Sequence, residues 1–271
     1  MRQIKFLAFL TAMYSCNGNT DNKNAAAIHT DTVKPLTETS LIILGTIQDA
    51  GSPQIGCTKD CCKELFLHPS ADRRVVSLGL VDPANKKKYI IEATPDLTQQ
   101  ARALKNYASF STAETPDGIF LTHAHIGHYT GLMYLGKEAM NTDSIPVYAM
   151  PRLKKFLEQN GPWSQLVKNK NIALQEMNDQ KEIQLTNNIR VTAFTVPHRD
   201  EFSETVGYII SGPNKKILFI PDIDKWEKWS TNIIEVIAKV DHAFIDGTFY
   251  DAEEINNRDI STIPHPFIIE S

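Results

Sequence analysis

Phe120-Leu121-Thr122-His123-Ala124-His125-Ile126-Gly127-His128-Tyr129-Thr130-Gly131-Leu132 decides how the rest of this chain is read. Three of the eight histidines fall between positions 123 and 128. An apolar run, Gly118-Ile119-Phe120-Leu121, comes before them, and an amphipathic run, Tyr129 to Met140, comes after. The pattern is that of a buried strand, a tight loop and a helix. Loops at strand carboxyl ends are where α/β folds place their chemistry. An isolated histidine is ordinarily a hydrogen-bonded surface or core residue. Three this close on one loop are different, because a cluster of uncoordinated imidazoles would be costly to bury. Imidazole suits zinc, iron, copper and nickel, so the loop reads as a metal site whose missing ligands come from elsewhere.

Working outward, Leu41 to Thr46, Val75 to Val81 and Lys88 to Glu92 read as strands, the last two joined by the turn Asp82-Pro83-Ala84-Asn85. Leu97 to Asn106 reads as a helix capped by Asp96. Pro146 to Met150 reads as a strand, and Pro151 to Asn160 as a helix opened by proline. Beyond residue 180 the chain turns strand-rich, with Lys181 to Leu185, Arg190 to Val196, Val206 to Ser211 and Lys216 to Ile220. Gly212-Pro213-Asn214 forms the turn between the last two. Trp226 to Val240 reads as a helix and Ala243 to Gly247 as a buried strand. Two batches of strands, each with helices, imply two sheets packed face to face with helices outside.

The further ligands are sought where apolar strands stop in the second half. Val196-Pro197-His198 and Ile220-Pro221-Asp222 each put a donor at such a point. His198 and Asp222 with the loop histidines make a nitrogen-and-carboxylate set of the kind used by hydrolytic zinc enzymes. Asp224 and Asp246 are nearby acids at similar strand ends.

At this point the motifs resemble a known family. His123-Ala124-His125-Ile126-Gly127-His128, followed by His198 and Asp222, resembles the metallo-β-lactamase superfamily. More narrowly, Leu44-Gly45-Thr46-Ile47-Gln48-Asp49-Ala50-Gly51-Ser52-Pro53-Gln54-Ile55-Gly56-Cys57 is similar to the opening of the pyrroloquinoline quinone biosynthesis protein B family. So are Pro197 to Phe202, Val206-Gly207-Tyr208 and Asp246-Gly247-Thr248-Phe249. The cyclic phosphodiesterases of phosphonate breakdown have a similar opening. The resemblance covers residues 40–271. It implies an α/β (α+β) fold, a four-layer αββα sandwich with metal at one edge of the sheets. It implies His123, His125 and His198 on a first metal, Asp222 bridging, and His128 on a second. Zinc is the expected ion, one or two per chain, with ferrous iron or manganese as alternatives.

Two departures stand out. Gly127 occupies the position of the superfamily's aspartate, which binds the second metal and orients the attacking water, so the second position is expected to be weak. The chain also stops soon after Gly247, where the superfamily adds a strand, a histidine and a helix, so the C-terminal part reads as shortened. His265, flanked by Pro264 and Pro266, is a poor match to a strand-end ligand. Catalysis is therefore assigned to Asp222 and His128.

Cys57, Cys61 and Cys62 form a separate cluster. Three thiols cannot all pair, and Cys61 and Cys62 are neighbours that rarely bridge. The spacing suits a structural zinc, as does a cysteine cluster at this place in the resembling family, with His68 as a candidate fourth ligand. A disulfide and free thiols are the alternatives.

Residues 1–16 resemble a bacterial lipoprotein signal: Arg2 and Lys5, an apolar run too short to span a bilayer, then Ser15-Cys16, with Cys16 as the lipidated residue. Residues 17–38 are polar and read as a tether, leaving 39–271 as the folded domain. The expected location is the bacterial cell envelope, with membrane contact through the lipid anchor only. Of 271 residues 42% are hydrophobic, enough for a core, and the net charge of −4 with no basic face excludes nucleic acid as partner. Lys86-Lys87-Lys88 reads as a solvated charge run. A small molecule is the expected substrate. Three functions fit: a metal-dependent hydrolase of ester or phosphodiester bonds, an iron-dependent oxidative enzyme, or a metal-binding lipoprotein without catalysis.

Overall fold

The computed structural model describes residues 35–255 and 258–271. Its first half runs β1 (Ser40–Gly45), α1 (Asp60–Leu67), β2 (Ser77–Asp82), β3 (Lys87–Ile91), α2 (Leu97–Tyr107), β4 (Gly118–Phe120), α3 (Ile126–Tyr129), β5 (Ile145–Ala149), α4 (Pro151–Gln159), α5 (Trp163–Lys168) and β6 (Ile172–Glu176). Its second half runs β7 (Glu182–Gln184), β8 (Arg190–Thr195), β9 (Val206–Ser211), β10 (Lys216–Ile220), α6 (Ile233–Ile237) and β11 (His242–Ile245). One sheet has the order β1-β2-β3-β4-β5-β6 and the other β11-β10-β9-β8-β7. Strands β3 to β6 are mutually parallel, and β10 pairs β11 in parallel.

Side-chain alternation builds the layers. On β3, Tyr89 and Ile91 face the second sheet while Ile90 faces the helices; on β4, Phe120 faces inward and Ile119 outward. The inner layer joins Leu78, Leu80, Phe120 and Met150 to Val191, Tyr208, Ile210 and Phe219. The first outer layer packs Leu104 of α2 and Leu153 and Leu157 of α4 on the first sheet. The second packs Trp229, Ile233 and Val236 over Leu218 and Ile220. Three apolar layers between four structural ones give the αββα sandwich that the sequence implied.

Several local expectations are corrected. The run from Tyr129 to Met140 is not one helix. After α3 it continues as a 3-10 helix over Thr130–Leu135, because Gly131 lies so close to the Ala93 and Thr94 carbonyls that a Cβ would stand 2.1 Å from Thr94 O. The run from Trp226 to Val240 is broken too, into a 3-10 turn over Trp226–Lys228 and α6. Trp229 is extended, and Asn232 starts α6 afresh by accepting from Ile234 N–H. Asp96 holds the N-cap position of α2 as read, but its side chain makes no capping hydrogen bond; its carboxylate accepts from Val75 N–H at 2.8 Å and ties the helix start to β2's lead-in. Lys88 is not solvated: it is 1% exposed on β3 and donates to Ala113 O. After β11 the described residues hold 3-10 turns and an isolated Phe249–Phe267 bridge. Among the described residues no helix is long and apolar enough to cross a membrane.

Asp82, fully buried at the end of β2, staples the sheets together. Its carboxylate accepts from Asn85 N–H and Nδ2 beside it (3.3 and 2.7 Å), from Thr39 Oγ1 at 3.5 Å, and from Thr186 Oγ1 and Asn188 Nδ2 of the β7–β8 turn at 2.6 and 3.1 Å. Burial pushes its pKa up, but the donors from Thr186, Asn85 and Asn188 outweigh burial and hold it below the usual 3.8. A depressed folded value means the stabilisation is present above that usual value and is lost as pH falls through the folded one. Asp82→Ala is therefore expected to cost about 3 kcal/mol at about pH 7, with the gap to wild type narrower at a second pH below the usual 3.8. Urea midpoints at both pH values measure this.

Candidate metal centre

Five strand ends meet at one edge of the sandwich. Each delivers its donor within three residues of where the apolar run stops: Glu92 after β3, His123 after β4, His198 after β8, Asp222 after β10 and Asp246 after β11. The histidine loop is clamped to the second sheet from three directions. Thr122 O accepts from Val206 N–H at 3.2 Å, Ala124 N–H donates to Ser203 Oγ at 2.9 Å, and Tyr208 Oη donates to Leu121 O.

The donors lie in an alternating line of acid and imidazole across the sheets. Glu92 Oε2 is 3.3 Å from His128 Nδ1, and His128 Nε2 is 2.7 Å from Asp222 Oδ2. Asp222 Oδ1 is 3.5 Å from His265 Nδ1, which is 2.7 Å from Asp246 Oδ2. Beside this line His123 Nε2 approaches His125 Nδ1 at 2.8 Å and Asp222 Oδ2 at 3.6 Å. His123 Nδ1 is engaged by Thr122 Oγ1 at 2.9 Å, and His125 Nε2 lies 3.4 Å from Glu201 Oε2.

The electrostatics follow from burial and from these neighbours. Burial drives His123 well below its ordinary pKa, and His198 down to about 4. Burial lowers His128 too, but the Asp222 and Glu92 charges outweigh it, so its pKa is raised well above the usual value. Burial raises Asp222, yet His128 and its neighbours hold the carboxylate well below its ordinary range. Burial raises Glu92, partly offset by His128. For His265, burial is outweighed by the Asp246 hydrogen bond and charge, and the pKa rises.

A metal fits this arrangement. One atom each from His123, His125 and His198 lie within 4.8 Å of one another; so do one each from His123, His128 and Asp222, and from His198, Asp222 and His265. Both ring nitrogens of His128 and of His198 are buried without a hydrogen-bond partner among the described residues. His128 Nε2 is close to Asp222 Oδ2 but off hydrogen-bond alignment. Orphaned buried polar atoms cost about 1–3 kcal/mol each, and a cation shared among them removes that cost. Imidazole nitrogens with a carboxylate suit zinc or ferrous iron.

His123, His125, His128, His198 and Asp222 are thus gathered at one place. His265, read as a poor match, joins them. Its position depends on the tail rather than on a strand. Lys225, 2% exposed, holds Glu270 at 2.6 Å and lies 4.4 Å from the Phe267 ring centre, while Trp226 Nε1 donates to Ser271 Oγ. Glu92 escaped the sequence reading, although it carries the signal used for Asp222, an acid where an apolar strand stops. It takes φ 78°, a left-handed conformation costly for a side-chain-bearing residue, with its N–H on Phe120 O at 2.8 Å and its Oε1 accepting from Thr122 N–H at 3.2 Å. Asp224 instead pairs with Lys228 at 2.9 Å.

The sulfurs of Cys57, Cys61 and Cys62 also lie within 4.8 Å of one another, and His68 is not among that group. Cys61 and Cys62 line a cleft of about 660 Å³ that reaches Asp246, Gly247 and Thr248. Cys16, with the signal segment and most of the tether, lies outside the described residues.

Two variants test the supports. Glu92→Gln keeps the shape but removes the charge behind His128, and is expected to weaken metal binding about tenfold or more, read by chelator competition. Lys225→Met is expected to speed amide exchange across residues 265–271 while leaving the β-sheets protected, as measured by hydrogen–deuterium exchange.

A family profile described as "Beta-lactamase superfamily domain" matches residues 87–267. Coenzyme PQQ synthesis protein B of Methylorubrum populi is 24% identical over 242 residues, covering 82% of this chain and 77% of that protein. Its namesake in Gluconobacter oxydans is 26% identical over 245 residues, covering 79% and 74%. Among solved structures, zinc-bound PqqB from Methylobacterium extorquens superposes with a TM-score of 0.65 at 20% identity, over 85% of this chain and 79% of that one. A diphosphatase of the PhnP family gives 0.60 at 19%, over 85% and 78%. These structural likenesses show the shared metallo-β-lactamase fold. The profile match spans most of the chain and contains the histidine loop, His198, Asp222 and His265; the chain belongs to the β-lactamase superfamily.

Proposed function

We propose that the chain is a metal-dependent hydrolase of ester or phosphodiester bonds in a small-molecule substrate. The observation that carries this reading is the four orphaned ring nitrogens of His128 and His198, buried beside Asp222 at the mouth of the sandwich. His123, His125 and His198 would hold a first zinc, with Asp222 and His128 at a second position. Zinc so held supplies Lewis acidity for the scissile oxygen and an acidified water.

The chain's own groups do the rest. Asp222, with its side chain 13% exposed, presents one oxygen toward His128 and the other toward His265. With Nδ1–H donated to Asp246, His265 keeps Nε2 as the basic nitrogen available to reacting groups. Asp246 is fixed in turn by Thr248, whose N–H and Oγ1 donate at 3.0 and 2.7 Å. Glu92 and Asp222 flank His128 on either side at 3.3 and 2.7 Å. Cys57, Cys61 and Cys62 would hold a separate structural zinc. Anchoring at the envelope through Cys16 accords with the opening segment.

The similarity to coenzyme PQQ synthesis proteins favours a second reading, oxidative chemistry with ferrous iron on the same donors. Zinc-loaded protein is expected to cleave members of a phosphodiester and ester panel, with His123→Ala slower by on the order of a thousandfold. Cys57→Ser should lose about one zinc per chain while keeping turnover. Iron-dependent oxygen consumption instead of hydrolysis would favour the oxidative reading. Full metal occupancy with no turnover would leave a non-catalytic binder.

A further inference from the structure

We propose that Asp49 is an additional oxygen donor to the metal position bounded by His128 and Asp222, reaching it from a turn outside the histidine loop. This rests on the metal-centre reading above and assigns a residue to it.

Gly127 sits between His125 and His128 with ordinary α-helical backbone, so its φ does not call for glycine. Space does. A Cβ built on Gly127 would stand 2.3 Å from Asp49 Cβ and 3.0 Å from Asp49 Cα and O. The Asp49 side chain therefore departs from a point 2.3 Å from where a side chain at position 127 would start. The position that carries no side chain is filled by a carboxylate-bearing residue from another part of the chain.

The turn that carries Asp49 is tightly held. Gln48 Nε2 donates to Gly51 O at 3.0 Å, Gln48 Oε1 accepts from Ala50 N–H at 2.8 Å, and Gly51 N–H donates to Gln48 O at 3.0 Å. Gly51 takes φ 82°, a conformation glycine adopts freely. Gln48 and Gly51 line the cleft that also reaches Asp246 and Thr248, and the approach of Asp49 to Gly127 sets the turn against the histidine loop. The Asp49 side chain itself is exposed and makes no hydrogen bond or ion pair among the described residues. Its carboxylate is outside the donor groups that lie within 4.8 Å of one another, so the assignment requires the side chain to turn toward the centre.

The demand for such a donor is independent of the turn. His128 is 1% exposed, and neither of its ring nitrogens has a hydrogen bond among the described residues. The group it forms with His123 and Asp222 contains a single carboxylate. A hard-to-borderline cation there takes a further oxygen ligand readily.

The test is Zn²⁺ titration of the metal-stripped full chain by chelator competition. It compares wild type, Asp49→Ala and the exchange variant Asp49→Gly/Gly127→Asp, which removes the Cβ at position 49 that a side chain at 127 would meet, with His123→Ala identifying the equivalents bound at the histidines. Asp49→Ala is expected to weaken one histidine-site equivalent about tenfold or more without moving the melting point of the metal-free protein, and the exchange variant to recover it. If Asp49→Ala titrates like wild type while His123→Ala loses metal, the Asp49 assignment falls and the centre stands. If His123→Ala binds as much as wild type, the centre falls and Asp49 with it.

Discussion

The line Glu92–His128–Asp222–His265–Asp246 is the constraint on which the rest of this structure depends. Each imidazole is buried or nearly so, and each acid sits where its charge is felt by the next ring. Burial alone would discharge His128, Asp222 and His265. The opposite charges beside each of these three outweigh burial, and the line crosses from the first sheet to the second. The αββα arrangement serves it directly, because the carboxyl ends of β3, β4, β8, β10 and β11 open onto the same edge.

Much of this was legible in the residues. The histidine loop announced itself by density, and His198 and Asp222 by their place just past apolar strands. Glu92 gave the same sign, but a run ending Tyr89-Ile90-Ile91-Glu92 also reads as a strand with a solvated last residue. Its left-handed backbone and its burial behind His128 are tertiary facts with no local signature. His265 was illegible for a different reason. Its flanking prolines argue correctly against a strand, and it arrives by a tail strapped through Glu270 to Lys225, a contact between residues far apart in sequence.

The long helices read from amphipathic spacing failed at identifiable points. Gly131 allows the chain to press against the Ala93 and Thr94 carbonyls, which tightens the following turn to a 3-10 helix. Asn232 reopens a helix that Trp229 had closed. Periodicity correctly located which face is apolar in both segments, since Leu132 and Leu135 pack on the first sheet and Ile233 and Val236 on the second. What periodicity could not convey was how far one helical axis would run.

The spread of the line along the chain has a thermodynamic consequence. Its members come from positions 92, 128, 222, 246 and 265, so no fragment of the fold presents the whole set. A ligand that binds only the assembled set stabilises the folded state by mass action, in proportion to the logarithm of its concentration over its dissociation constant. Opening either sheet at this edge would scatter the donors and release an ion held there. Such an ion would act as a cooperative lock on the join between the sheets, its residence time tied to the slowest local opening of either one.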